Sequence, residues 1–168
     1  MSRKPHAATT TGTPAIQLLE REGVPHGVHP YEHDPASDLS YGLEAAASLG
    51  VEPELVFKTL CVEADGVVTL AMVPVTGSLD LKAVARAAGA KKAHMTDAAD
   101  AERITGYVVG GISPLGGRKQ LPALLDSSAF DHDRIYVSGG RRGLDISLAP
   151  ADLVRLTDAS TAPIGKDS

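Results

Sequence analysis

The chain reads as a single α+β domain, and three observations lead there. Its 168 residues are enough for one substantial core. Helical and strand patterns follow one another irregularly, with several hairpins and no regular βαβ alternation. Between two apolar runs stands Asp65-Gly66, a pair that favours a two-residue hairpin turn. Hydrophobic residues make up 43% and charged residues 22%, the balance of an ordinary soluble globular protein, and no internal repeat or second domain is visible.

The elements follow in order. Residues 1–12 are polar and rich in small side chains, and are expected to form a disordered tail. Thr13-Pro14 opens a helix, with Thr13 as N-cap and Pro14 in the first turn, and Gly23 closes it. Val24 to His29 is a short strand. Tyr31 to Ser40 is a loop leading into an alanine-rich helix, Tyr41 to Leu49, stopped by Gly50. The run Val56 to Val62 is a strand that turns at Asp65-Gly66 into a second, Val67 to Val75. Asp80 can cap a helix from Leu81 to Ala88, ended by Gly89. Ala90 to Met95 reads as a strand, Thr96-Asp97 opens a helix to about Ile104, and Tyr107 to Val109 reads as another strand. Leu124-Leu125, Arg134 to Val137 and Leu144 to Leu148 add three more. Pro150 opens a last short helix through Leu156, and residues 159–168 are expected to be a tail.

Composition narrows the function classes. No apolar run is long enough to span a bilayer, and the N-terminus lacks an apolar signal core, so no membrane partner is expected. One cysteine allows no internal disulfide, which fits a reducing cytoplasm. With no Trp and two Phe, an aromatic platform for bare single strands is not expected. A net charge of −5 argues against indiscriminate nucleic-acid binding. The charge is uneven, though: Lys91-Lys92, Arg118-Lys119 and Arg141-Arg142 are local basic pairs, readable either as a patch for one nucleic-acid end or as solvated surface charge.

The strand around Lys58 carries the most informative residue. Side chains alternate across a strand, so Lys58 shares a face with Val56, Leu60 and Val62. An ammonium there is costly unless an anion or acceptor meets it, unless it is a gatekeeper on an edge strand. Two glycine-rich segments can complete a pocket: Gly110-Gly111-Ile112-Ser113-Pro114-Leu115-Gly116, and Ser138-Gly139-Gly140-Arg141-Arg142-Gly143-Leu144-Asp145-Ile146. Paired glycines let the main chain approach a ligand closely and aim N–H groups at it; otherwise the first segment is an ordinary Gly/Pro loop. In Leu144 to Leu148, Asp145 and Ser147 share one face. Cys61 has no basic neighbour to lower its pKa and reads as a core cysteine. The spacing of His26, His29 and His33 matches no metal-ligand pattern, and no serine elbow or triad is present, so no metal or cofactor is expected.

These segments, together with Tyr31-Glu32-His33-Asp34-Pro35, Leu79-Asp80-Leu81-Lys82 and Thr105-Gly106-Tyr107, resemble the YbaK/EbsC family of aminoacyl-tRNA deacylases. That family is related to the editing domain of prolyl-tRNA synthetase, and the likeness is to its YbaK branch, the Cys-tRNA(Pro) deacylases. It runs from about Thr13 to about Asp158, which sets the expected deacylase domain at 13–158. The resemblance implies a curved, barrel-like mixed sheet with flanking helices. It implies a catalytic set of Lys58, Gly110 and Gly111, with Tyr31, Tyr41, Thr59, Ile112, Ser113, Pro114, Ser138 and Asp145 binding substrate. Tyr41 stands where the branch often carries Phe, and the loop before it is one residue longer than usual. Ser138 and Asp145 are readable also as turn residues, and both tyrosines as packing for the loop. Also implied are the tRNA(Pro) acceptor end as partner, prolyl-tRNA synthetase as a candidate one, and a substrate thiol that attacks its own ester. Cys-tRNA(Cys) is a further candidate substrate. Two other readings stay open: a deacylase for Ala- or Ser-tRNA, and a non-catalytic tRNA-binding module associated with a synthetase.

Overall fold

In the computed structural model, which describes residues 12–167, the two longest strands are β2 (Phe57–Ala64) and β3 (Val67–Pro74). Asp65 and Gly66 join them with φ of 48° and 84°, the doubly positive pair that a tight hairpin requires. The ladder then runs without slip from Ala64↔Val67 to Phe57↔Pro74. The Asp65 carboxylate also accepts the N–H groups of Lys91 and Lys92 at 2.9 and 3.1 Å. Those two residues are thereby held in the turn, and the strand expected from Ala90 shortens to β5 (Ala93–Met95).

The helices are set by their caps. Thr13 accepts from the Ile16 N–H at the start of α1 (Pro14–Arg21), and Asp80 accepts from the N–H groups of Lys82 and Ala83 at the start of α3 (Leu81–Ala88). Gly50 ends α2 (Tyr41–Leu49) in the left-handed conformation at φ 69°. Asp97 precedes α4 (Ala98–Thr105) without a side-chain capping bond. The strand expected from Val24 begins later, as β1 (Gly27–Pro30), because the Val24 N–H is taken by the Leu19 carbonyl in closing α1.

The remaining elements are β4 (Gly77–Leu79), β6 (Ala123–Asp126), β7 (Ile135–Arg141), β8 (Leu144–Leu148), α5 (Pro150–Thr157), β9 (Ser160–Ala162) and β10 (Gly165–Asp167). They form a five-stranded sheet in the order β5-β2-β3-β6-β9, a three-stranded sheet β1-β8-β7 and a two-stranded sheet β10-β4. The α+β class holds and the sheet is mixed, since β6 pairs in parallel with both β3 and β9. The barrel-like arrangement does not close. Among the described residues the two larger sheets meet at a single parallel bridge, Val56↔Tyr136.

Two expected features are replaced. Tyr107 to Val109 forms no strand: the Tyr107 N–H bonds the Thr105 hydroxyl and the Val109 N–H bonds Glu102, so these donors serve the end of α4. Residues 159–167 are not a tail, because β9 extends the large sheet and β10 pairs with β4. Asp126 explains the second of these, accepting the N–H groups of Ile164 and Gly165 at 2.8 Å each. The expected N-terminal tail lies outside the described residues apart from Gly12.

Apolar side chains fill both faces of β2–β3–β6. One core joins Ile16, Leu19, Phe57, Met72, Leu125 and Leu153 with the inner face of β7–β8; the other joins Val62, Val73, Val84 and Ile164. No described helix is long and apolar enough to cross a membrane.

Candidate active site

At the Val56↔Tyr136 bridge the two sheets are brought level. Two residues further along both strands stand Lys58 and Ser138. Ser138 pairs with Asp145 across β7–β8, and Asp145 pairs with His29 across β8–β1. Lys58 thus stands across the seam from Ser138, Asp145 and His29, which form one row over β7, β8 and β1 because directly opposed residues on a ladder share a face. The first three open on a cavity of about 310 Å³, which Tyr31, Tyr41, Thr59, Gly110 and Ile112 also line. Val56, Phe57, Cys61, Met95 and Ala101 complete its apolar wall. A wider groove of about 730 Å³ beside Asp65 and Thr157 contains none of the residues expected at the site, so size is a poor guide here.

Several polar groups facing the cavity lack partners among the described residues, whereas Ser138 Oγ accepts the Gly140 N–H at 3.2 Å. Asp145 is 5% exposed, its Oδ2 has no hydrogen bond, and burial pushes its carboxyl up to about 7. Thr59 Oγ1 is likewise buried and unbonded. Lys58 has no ion pair or hydrogen bond among the described residues, and burial lowers its pKa. Burial, reinforced by the Asp145 charge, pushes the Tyr31 phenol up to about 12, so it remains neutral. Each buried unsatisfied group costs about 1–3 kcal/mol, a cost that a ligand bonding it would remove.

The glycine-rich segment divides its tasks. The Gly111 N–H closes a turn onto the Val108 carbonyl at 2.8 Å, while Gly110 and Ile112 line the cavity and their N–H groups have no partner among the described residues. A Cβ on Gly110 would stand 2.6 Å from the Tyr41 ring, and one on Gly111 would stand 2.7 Å from the Arg141 Cα. Gly111 therefore approaches its own neighbouring main chain, where a close approach to ligand was expected. Ser113 and Pro114 face away and line a separate cavity of about 210 Å³, with Ser113 Oγ accepting the Leu115 N–H. Those two expected binding residues are not brought to the pocket.

Tyr41 is the hub of the outer wall. The Arg142 guanidinium lies 4.7 Å above its ring, the His33 ring is 5.5 Å away, and Arg142 Nε donates to the Val109 carbonyl at 2.9 Å. Cys61 is buried, and burial pushes its thiol up to about 11. The histidines are separately occupied: His26 with the Val24 carbonyl, His29 with Ser147, and His33 with Glu44. Among the described residues no three His, Cys, Asp or Glu side chains are grouped to hold a metal. Glu44 went unrecognised in the sequence, and Arg142 reads there as one of a basic pair and not as a partner of Tyr41. The spacing of Tyr41 and Glu44, three apart on one helix, was the available signal for the first.

Residues 39–156 match the family model described as the aminoacyl-tRNA editing domain. A protein of Enterococcus faecalis, named as the Cys-tRNA(Pro)/Cys-tRNA(Cys) deacylase EbsC, is 38% identical over 93% of this chain and 94% of its own. Among solved structures, one titled as a trans-editing enzyme for prolyl tRNA synthetase superimposes with a TM-score of 0.79 at 24% identity, covering 98% of this chain and 99% of that one. A scaffold protein used for computational epitope grafting superimposes at 0.81, also at 24% identity, covering 98% and 100%. At that identity the two structures speak for the fold.

Proposed function

We propose, for a chain that belongs to the aminoacyl-tRNA editing domain family, a trans-editing deacylase that removes cysteine from mischarged Cys-tRNA(Pro). The observation that carries this reading is one cavity that gathers Lys58, Thr59, Ser138 and Asp145, with Thr59 Oγ1 and Asp145 Oδ2 buried and unbonded among the described residues. The 38%-identical relative's name supports cysteinyl-tRNA as the substrate class, Cys-tRNA(Cys) included. The tRNA(Pro) acceptor end is the partner in this reading, and prolyl-tRNA synthetase a candidate second one. The reducing cytoplasm is where such a substrate arises.

An aminoacyl ester needs little activation, so positioning and oxyanion stabilisation suffice. The free N–H groups of Gly110 and Ile112 receive the ester carbonyl, and Lys58 meets the 3′-terminal phosphate or ribose region. Asp145, ionising near neutrality, holds the substrate ammonium. Thr59 and Ser138 offer hydroxyls to the same ligand. Tyr31 and Tyr41 wall the acyl group. The substrate's own sulfur then attacks the carbonyl carbon. As the C–S bond forms and the C–O ester bond breaks, the proton lost by the thiol ends on the leaving ribose hydroxyl. The products are a cyclic thiolactone and free tRNA, and water later opens the thiolactone to cysteine.

Deacylation of purified Cys-tRNA(Pro), compared with Ala- and Ser-tRNA, tests the reading. Rapid loss of cysteine with slow loss of alanine and serine supports it. Preference for alanine or serine, or tRNA binding with the ester left intact, overturns it.

A further inference from the structure

We infer that Glu44 is a positioning residue that fixes the distance between the two tyrosine walls of the pocket. This rests on the functional reading above for its substrate but on the fold alone for its mechanism. Glu44 is 5% exposed, and both of its oxygens are engaged. Oε1 meets His33 Nδ1 at 2.8 Å, and Oε2 accepts the Asp34 N–H at 2.8 Å. These bonds, first the one from His33, hold its carboxyl below the usual range.

The clamp lies between the two walls. Tyr31 ends the strand side, anchored by its N–H to the Gly143 carbonyl at 2.8 Å. Two residues later His33 is held by Glu44, and its ring faces Tyr41 at 5.5 Å. Tyr41 and Glu44, three apart on α2, share one side of the helix. One carboxylate thus ties the loop that carries Tyr31 to the helix that carries Tyr41. Without it the middle of the loop from Tyr31 to Ser40 would be held to α2 by the ring contact of His33 with Tyr41 alone among the described contacts. Glu44 lines no part of the cavity, so it acts on the substrate only through the walls.

The test is direct binding of a non-hydrolysable cysteinyl-adenosine amide by calorimetry, with deacylation kinetics on Cys-tRNA(Pro) alongside. Glu44→Ala should weaken analogue binding and raise KM by about tenfold with kcat within about threefold, because loss of wall placement is a loss of uniform binding. Amide exchange in residues 31–40 should quicken while the rest of the fold stays protected. Glu44→Gln keeps an acceptor for the Asp34 N–H and an amide for His33, and should restore binding to within about twofold of the native protein. A merely structural role would show equal loss across both kinetic constants and no rescue by Gln. If Glu44→Ala does not fold, His33→Phe tests the same clamp, since it keeps a ring against Tyr41 and loses the bond to Oε1. Native affinity in Glu44→Ala or His33→Phe, or a Gln variant as weak as the Ala one, overturns the inference. A native protein that binds the analogue but releases no cysteine would instead overturn the deacylase reading and leave the clamp standing.

Discussion

Ser138 stands opposite Asp145 in the last regular pair of the β7–β8 ladder before the register shifts toward Arg141. The irregularity falls at Gly139-Gly140, where Gly140 takes a φ of 109°. The ladder thus ends with a hydroxyl and a buried carboxyl facing the cavity, and the carboxyl is close to neutrality in its titration.

That carboxyl makes stability depend on pH with a definite sign. Burial lifts Asp145 from 3.8 to about 7, so between those values the folded protein holds a proton that the unfolded chain has released. The associated stability is full below about pH 4 and is lost as pH rises through the folded value. Asp145→Asn cannot titrate. Its Tm relative to the native protein should therefore climb between about pH 4 and about pH 7 and level off above, as read by thermal melts at matched ionic strength. A constant difference across that range would mean that Asp145 does not titrate there.

Lys58→Ala should lower kcat/KM for Cys-tRNA(Pro) by about 100-fold or more, the scale on which a single electrostatic contact in such a site acts. The half-buried ammonium meets no partner among the described residues, so Tm should stay the same or rise. Native turnover in a folded variant would reduce Lys58 to a gatekeeper.

Gly111→Val should fail through packing. Its Cβ would meet the main chain of Arg141 and Arg142 at 2.7 and 2.8 Å, and backbone cannot give way as a flexible side chain can. The expected cost is about 1–3 kcal/mol, and the displaced Arg142 guanidinium should no longer stack on the Tyr41 ring. Urea unfolding measures it, and an unchanged midpoint would contradict the tight approach.

The source of the nucleophile is the most discriminating question. Cys61→Ser should remain active and lose about 1–2 kcal/mol from placing a hydroxyl among apolar neighbours. Ser-tRNA(Pro), nearly isosteric with a poorer nucleophile, should be released far more slowly. Rapid-quench analysis should find thiolactone, or a trapped derivative, before free cysteine. Direct release of cysteine, with activity lost in Cys61→Ser, would move the nucleophile to the enzyme.

Most of this was legible where local chemistry decides structure. Asp80, Gly89, Gly50 and the Asp65-Gly66 turn carry their own instructions, so α2, α3 and the β2–β3 hairpin were readable to within a residue or two. The Lys58 face was readable because period-two alternation is a property of the strand alone. What escaped depends on distant partners. Tyr107–Val109 has an apolar strand composition, yet Glu102 and Thr105 claim two of its N–H groups. The sequence after residue 159 looks like a tail until Asp126 is seen to grip Ile164 and Gly165. Likewise Gly110 and Gly111 look alike in sequence, but one faces the cavity and the other faces Arg141, and Ser113 and Pro114 turn to the opposite side. The Glu44 clamp joins residues eleven apart through a loop with no regular period.

Lys58 belongs to one sheet, while Ser138 and Asp145 belong to another, and among the described residues the two are stitched by one backbone bridge at Val56 and Tyr136. Beyond that point it is side-chain packing, in the core that Phe57 and Met72 share with Ile135 and Val137, that fixes the two sheets relative to each other. On warming, the sheets can slide by a fraction of a strand spacing while each keeps its internal ladder, so the ammonium and carboxyl drift out of alignment first. Turnover should then fade several degrees before circular dichroism reports any melting, which makes catalysis the more sensitive thermometer of this protein. A disulfide or side-chain staple across β2 and β7 should bring the two curves together, raising the temperature of half-maximal activity more than the Tm.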